Sequence, residues 1–166
     1  LLLLTLWLII IGIANPQIGS KMEEVKREGV DIMIALDLSN SMLAEDIKPN
    51  RLTRSIQAVS KLIDRLQGDR IGLIVFGGEA YVQLPITTDY SAAKLFLSTI
   101  STDIMPTQGT AIGAAIKLAV QSFGTNDVEG QEETNKAIIV ITDGENHEDD
   151  AIEQAQLASE NNISVH

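Results

Sequence analysis

Residues 30–42 read VDIMIALDLSNSM, and this stretch decides the fold of the chain. Its first half, Asp31–Leu36, is an apolar run without polar alternation, which is typical of a parallel-sheet strand covered on both faces. The run ends at a carboxylate and two hydroxyls in alternate positions, Asp37, Ser39 and Ser41. Open α/β sheets bind ligands in the crevice beyond the carboxyl ends of their strands, so this loop is a candidate site. Mixed carboxylate and hydroxyl oxygens favour a hard cation.

The remainder of the chain alternates between helix-like and strand-like patterns. Asn50 is a candidate N-cap, and after it apolar residues recur at helical spacing until a predicted end near Gly68. Further strands are predicted at about 71–76, 80–84 and 136–142, and further helices at about 90–99, 112–123 and 150–161. Short loops between alternating strands and helices predict an α/β fold, with a doubly wound, mostly parallel, Rossmann-like sheet and helices on both faces.

The first residues differ from the rest. Residues 1–13 are apolar apart from Thr5 and carry no charge, and Asn15-Pro16 then interrupts the run. A bilayer crossing needs about 20 residues, so we interpret residues 1–19 as a transmembrane helix truncated at its start. A signal-peptide core is disfavoured because no small-x-small cleavage site precedes Gln17, and a buried core helix is rarely so free of polar residues. Residues 20–29 are then a charged juxtamembrane linker, and residues 30–166 a folded domain that is truncated at its C-terminal end.

Composition excludes several classes of function. A chain of 166 residues with 45% apolar residues suits one globular domain. The net charge of −11 argues against nucleic acid as a partner, because a polyanion would be repelled. There is no cysteine, so disulfides and thiolate metal sites are excluded. The mixed charges of the linker leave the membrane orientation open.

Two further loops are expected to meet the first. Thr110 follows Gly109 and opens a helix, and Asp143 directly follows the predicted strand at 136–142. If the predicted topology holds, both lie at the same edge of the sheet as Asp37. Each has a simpler interpretation, as a turn or helix cap, but together they favour a metal site. The acidic run around His147 is expected to favour the positive end of the last helix rather than to hold a second metal.

Three motifs in this order resemble the metal-ion-dependent adhesion site of von Willebrand factor A domains: DLSNS at 37–41, GT at 109–110 and TDG at 142–144. The resemblance covers residues 30–166. It implies a site for Mg²⁺, or for Mn²⁺ or Ca²⁺ in the same place. In that family Ser39, Ser41 and Thr110 would ligate directly, and Asp37 and Asp143 would act through water or by switching. Neutral hydroxyls quench little of the ion's charge, so a carboxylate from a partner protein would complete its coordination.

Within that family the chain is similar to the membrane-anchored aerotolerance-type (Bat) proteins of bacteria. The resemblance rests on the apolar segment ending in Asn15-Pro16 and on SMLAEDIKPNRL at residues 41–52. It implies a domain on the periplasmic side of the inner membrane. It also implies partners among related membrane proteins with von Willebrand factor A domains, and association with MoxR-type ATPase systems.

These observations predict a non-enzymatic, membrane-tethered interaction module. One alternative is a Mg²⁺-dependent phosphatase or phosphotransferase with Asp37 as nucleophile. The position two residues on, where such an enzyme is expected to carry a second carboxylate, is Ser39, and no G-x-S-x-G elbow occurs. A second alternative is a structural membrane protein whose site no longer functions.

Overall fold

The computed structural model describes residues 29–124, 134–144 and 150–166, together with Thr5. The strands are β1 (Val30–Asp37), β2 (Arg70–Phe76), β3 (Ala80–Thr87), β4 (Asn135–Ile141) and β5 (Ile163–Val165). The helices are α1 (Arg51–Ile63), α2 (Tyr90–Ser98), α3 (Ile112–Gly124) and α4 (Ala151–Glu160), and short 3₁₀ turns cover Asn40–Leu43 and Thr102–Ile104.

The five strands form one sheet in the order β3-β2-β1-β4-β5, with β1 at its centre. β1 pairs in parallel with both β2 and β4, and β4 pairs in parallel with β5. Among the described strands only β3 runs antiparallel, against β2, and as an edge strand it tolerates Pro85. The prediction of a mostly parallel α/β sheet is therefore confirmed.

Helices cover the sheet on both faces. Alternate β1 side chains point to opposite sides, so that Ile34 and Leu36 pack with α1 and α2 while Met33 and Ala35 pack with α3 and α4. Strands buried on both faces need no polar alternation. This explains why the apolar run of β1 correctly indicated a parallel strand covered on both faces.

Two predicted boundaries differ from the structure by three residues or more, and the others by no more than one. Helix α1 begins directly after the predicted cap, since the Asn50 side chain accepts a hydrogen bond of 2.7 Å from the Thr53 amide. It ends at Ile63 rather than near Gly68, although Leu66 still packs against the same core from the following turn. Strand β3 continues to Thr87 because its backbone pairs with Ile71 of β2, a contact that no side-chain pattern reveals.

The predicted membrane segment at residues 1–19, apart from Thr5, lies outside the described residues. The same holds for linker residues 20–28. Among the residues that the structure describes, no helix has the length and apolar character needed to cross a bilayer.

Candidate metal centre

Asp37 ends β1 and is fully buried. Its Oδ1 accepts a hydrogen bond of 2.8 Å from the Ser39 amide, and its Oδ2 accepts one of 2.7 Å from the Thr142 hydroxyl. Because Thr142 directly follows β4, this carboxylate joins the loops at the ends of two neighbouring strands. The same edge of the sheet therefore carries the first and the last of the predicted motifs.

Ser39 and Ser41 present a pair of hydroxyls next to Asp37. A 3₁₀ turn over Asn40–Leu43 brings the two Oγ atoms to 2.9 Å from each other. Neighbouring ligands of an octahedral Mg²⁺ at bond lengths of about 2.0–2.1 Å lie about 2.9 Å apart. The two hydroxyls form a hydrogen bond with each other at this distance, and the same spacing suits two adjacent ligands of this ion.

Thr110 is buried in the loop before α3. Two contacts hold this loop against the ends of β1 and β2: the Asn40 amide donates to Gln108 Oε1 at 3.1 Å, and the Ala111 amide donates to the Gly77 carbonyl at 2.7 Å. The loop that carries Thr110 therefore lies beside the loop that carries the two serines.

Asp143 follows β4, and its side chain is only 4% exposed. Its Oδ2 accepts a hydrogen bond of 2.8 Å from Nη1 of Arg51, at the start of α1. The same guanidinium donates through Nε and Nη2 to Asp46, at 3.0 Å and 2.9 Å. These bonds from Arg51 lower the pKa of the Asp46 carboxyl below its usual value, and the carboxylate in turn raises the pKa of Arg51.

The sequence pattern predicted Asp143 as a site residue, but it did not identify Arg51 as the partner of this carboxylate. One signal was available. Arg51 is the first residue of α1, where the helix dipole disfavours a cation, so nearby acids are needed to compensate it.

A groove of about 670 Å³ opens between α1 and the end of β4. Thr142 and Asp143 line one wall, and α1 lines the other from Arg51 to Lys61. The side of the candidate centre that carries Asp143 therefore opens into this groove.

The five predicted residues thus lie on three loops at one edge of the sheet, and hydrogen bonds tie the serine loop to each of the other two. In the parts of the chain that the structure describes, no three acidic, histidine or cysteine side chains form a cluster suited to a metal. The available donors are instead hydroxyls and two carboxylates, a set that suits Mg²⁺ better than a softer ion. The acidic run around His147 lies outside the described residues.

Residues 32–145 match the family model of the von Willebrand factor type A domain. Of the solved structures, conserved hypothetical protein BatB from Bacteroides thetaiotaomicron is 52% identical, with a TM-score of 0.77, over 82% of this chain and 64% of that chain. An aerotolerance-related membrane protein from Bacteroides fragilis is also 52% identical, with a TM-score of 0.76, over 82% of this chain and 65% of that chain. The predicted resemblance to aerotolerance-type proteins is confirmed.

A more distant structure shares the fold. Proximal thread matrix protein 1 from the mussel byssus, with zinc in its metal-ion-dependent adhesion site, is 21% identical with a TM-score of 0.66, over 82% of this chain and 34% of that chain. The present chain spans about two fifths of the length of the curated relatives that it matches, 40% and 42% for two of them.

Proposed function

This chain belongs to the von Willebrand factor type A domain family, and from that membership we propose that it is a non-enzymatic module which binds a divalent cation and docks a partner's carboxylate. Ser39, Ser41 and Thr110 would hold the ion directly, while Asp37 and Asp143 would act through bound water. Mg²⁺ is the proposed ion, with Mn²⁺ or Ca²⁺ as substitutes. A bound cation would supply an open coordination position for an acidic side chain of the partner.

The separation of 2.9 Å between the two serine hydroxyls carries this proposal. It matches the edge of an octahedron around Mg²⁺. Both Asp37 oxygens already accept hydrogen bonds, which fits a carboxylate that acts from outside the coordination sphere. The zinc-occupied site of the mussel protein supports the proposal at the level of the fold.

The phosphatase alternative needs Asp37 to reach a phosphoryl group. Its burial and its two hydrogen bonds disfavour this role. Turnover of p-nitrophenyl phosphate that required Mg²⁺ and disappeared in Asp37→Asn would favour the enzyme instead.

We further propose that residues 1–19 anchor the protein in the inner membrane, with the domain on the periplasmic side. The similar Bacteroides fragilis protein is an aerotolerance-related membrane protein, which supports a membrane association. Related membrane proteins with the same domain, and a MoxR-type ATPase system, are the proposed partners.

The double variant Ser39→Ala/Ser41→Ala tests the cation site. Loss of two ligands should weaken Mg²⁺ binding by at least about a hundredfold, measured by isothermal titration calorimetry, since even outer-sphere partners of a metal contribute about 10–100-fold. The matched control is Ser98→Ala/Thr99→Ala, which removes two exposed hydroxyls on and just after α2, and it should bind Mg²⁺ like the wild type. Equal binding by the two double variants would contradict the assignment.

Docking is tested by crosslinking and pull-down from membrane extracts. A partner that uses its carboxylate on the cation should be recovered with the wild type in Mg²⁺. It should be lost in EDTA and with Ser39→Ala/Ser41→Ala. Recovery that is unchanged in EDTA would overturn the docking mechanism.

A further inference from the structure

Arg51 holds two carboxylates of different exposure with one guanidinium. Nη1 donates a hydrogen bond to Asp143 at 2.8 Å, and Nε and Nη2 donate hydrogen bonds to Asp46 at 3.0 Å and 2.9 Å. The Asp143 side chain is 4% exposed, that of Asp46 is 52% exposed, and that of Arg51 is 30% exposed. A permanent cation therefore joins the exposed carboxylate of Asp46 to the nearly buried carboxylate of Asp143.

The position of this guanidinium affects how Asp143 can serve a metal ion. An oxygen that accepts a short, charge-assisted hydrogen bond from arginine is less available to the water shell of a divalent cation. The guanidinium also carries the same sign of charge as a divalent cation. Arg51 and a bound cation would therefore compete for the same carboxylate.

We propose that Arg51 is a positioning residue that sets the affinity of the cation site. Its guanidinium binds the Asp143 carboxylate until a divalent ion displaces the guanidinium. Asp46 determines how strongly Arg51 binds Asp143, because Asp46 binds the other side of the guanidinium. This inference rests on the proposed cation site and assigns a regulatory role to two residues outside the coordinating set.

Arg51 can remain bound to Asp46 after its hydrogen bond to Asp143 is lost. Its contact with Asp46 is two-pronged, through Nε and Nη2, and such bidentate pairs fix the orientation of a guanidinium. Asp46 is exposed and sits in the loop that leads into α1. The arginine can thus lose one carboxylate and keep its charge compensated by the other.

Arg51→Gln tests the competition. Removing the competitor should tighten Mg²⁺ binding by about fivefold or more, the scale of typical coupling between two sites. The matched control is Arg54→Gln, which removes the same charge from the same groove wall, where among the described residues it is Arg51 and not Arg54 that forms the ion pair with Asp143. It should tighten binding by less than about twofold, because salt screens an exposed charge. Equal effects of the two variants would overturn the proposal.

Asp46→Asn tests the second half of the proposal. With Asp46 neutral, Arg51 should hold Asp143 more firmly, so Mg²⁺ binding should weaken more than in Glu45→Gln, an adjacent and exposed loss of the same charge. When Arg51 is already replaced by Gln, Asp46→Asn should weaken Mg²⁺ binding no more than Glu45→Gln does, because Arg51, the residue through which Asp46 acts, is absent. If the effects of Arg51→Gln and Asp46→Asn on Mg²⁺ affinity were additive, the proposal would be overturned. If Arg51→Gln does not fold, the comparison of Asp46→Asn with Glu45→Gln decides the proposal, and equal effects of these two variants would overturn it.

Thermal unfolding gives a readout that needs no partner. In EDTA, Arg51→Gln should melt below the wild type, because the nearly buried Asp143 loses its cationic neighbour. Saturating Mg²⁺ should then raise the melting temperature of the variant more than that of the wild type. A wild type that binds no Mg²⁺ would overturn the proposed function and this inference together, whereas equal affinities of wild type and Arg51→Gln would overturn this inference alone.

Discussion

At the scale of single residues, the two buried aspartates of β1 have different kinds of partner. Asp31, at the start of the strand, accepts from the Arg70 guanidinium at 2.6 Å and from the Thr134 hydroxyl at 3.0 Å. Asp37, at the end, accepts only from a backbone amide and a hydroxyl among its contacts with described residues. The charge of Asp31 is thus compensated within the chain, whereas Asp37 has no cationic partner among the described residues, which suits the proposed ion.

Arg70→Ala should show that the Asp31–Arg70 pair contributes to stability and not to the cation site. Leaving the Asp31 carboxylate buried without its cation should lower the free energy of unfolding by about 3 kcal/mol or more, measured by urea denaturation. Mg²⁺ affinity should stay at the wild-type value, because this ion pair lies at the opposite end of β1. The control Arg65→Ala removes an exposed arginine and should stay within about 0.5 kcal/mol of the wild type. A loss below 1 kcal/mol in Arg70→Ala would show that the pair is dispensable.

At the scale of elements, the position of Thr110 depends on two loops that meet backbone to backbone. Gly109 has a φ of +148°, and a Cβ on it would lie 3.0 Å from the Gly78 Cα. A Cβ on Gly78 would lie 2.9 Å from the Gln108 carbonyl oxygen. Only glycine allows this approach, so the turn after β2 determines where the loop before α3 can sit.

Gly109→Ala should therefore disturb both the fold and the site. The forced φ should lower the free energy of unfolding by about 1–3 kcal/mol, and the shifted Thr110 should weaken Mg²⁺ binding in calorimetry. Gly124→Ala, at the end of α3, is the matched control, because its Cβ would meet open space and its φ is not positive. If both alanine variants bound Mg²⁺ like the wild type, Thr110 would not be a ligand.

At the scale of the whole molecule, the net charge of −11 favours the approach of a divalent cation over the long range. Specific binding should appear as a stabilisation of the folded state. At a Mg²⁺ concentration of about 100 times Kd, the free energy of unfolding should rise by about 2.7 kcal/mol, and EDTA should reverse the gain. Urea unfolding followed by circular dichroism measures it.

Screening of the net charge by salt would also stabilise the domain, so two comparisons are needed. NaCl at matched ionic strength should give a smaller gain than Mg²⁺. Ser39→Ala/Ser41→Ala should respond to Mg²⁺ only as it responds to NaCl. Equal stabilisation of the wild type and this double variant by Mg²⁺ would mean that the ion acts through screening alone.

Local patterns in the sequence were sufficient to predict the main elements and the first half of the site. The apolar run of β1 indicated a parallel strand covered on both faces, and Asn50 marked the start of α1. The two serines lie two positions apart, so a single tight turn places them together. Backbone geometry of a few residues determines all of these features.

Tertiary structure alone decided the features that join distant residues. Arg51 and Asp143 are 92 positions apart, and Asp31 and Arg70 are 39 positions apart. Each pair meets because the sheet order puts β2 and β4 on either side of β1. No periodicity encodes which strands become neighbours, since that choice depends on the packing of the whole core. The charge balance around the candidate metal centre was therefore visible only once the chain was folded.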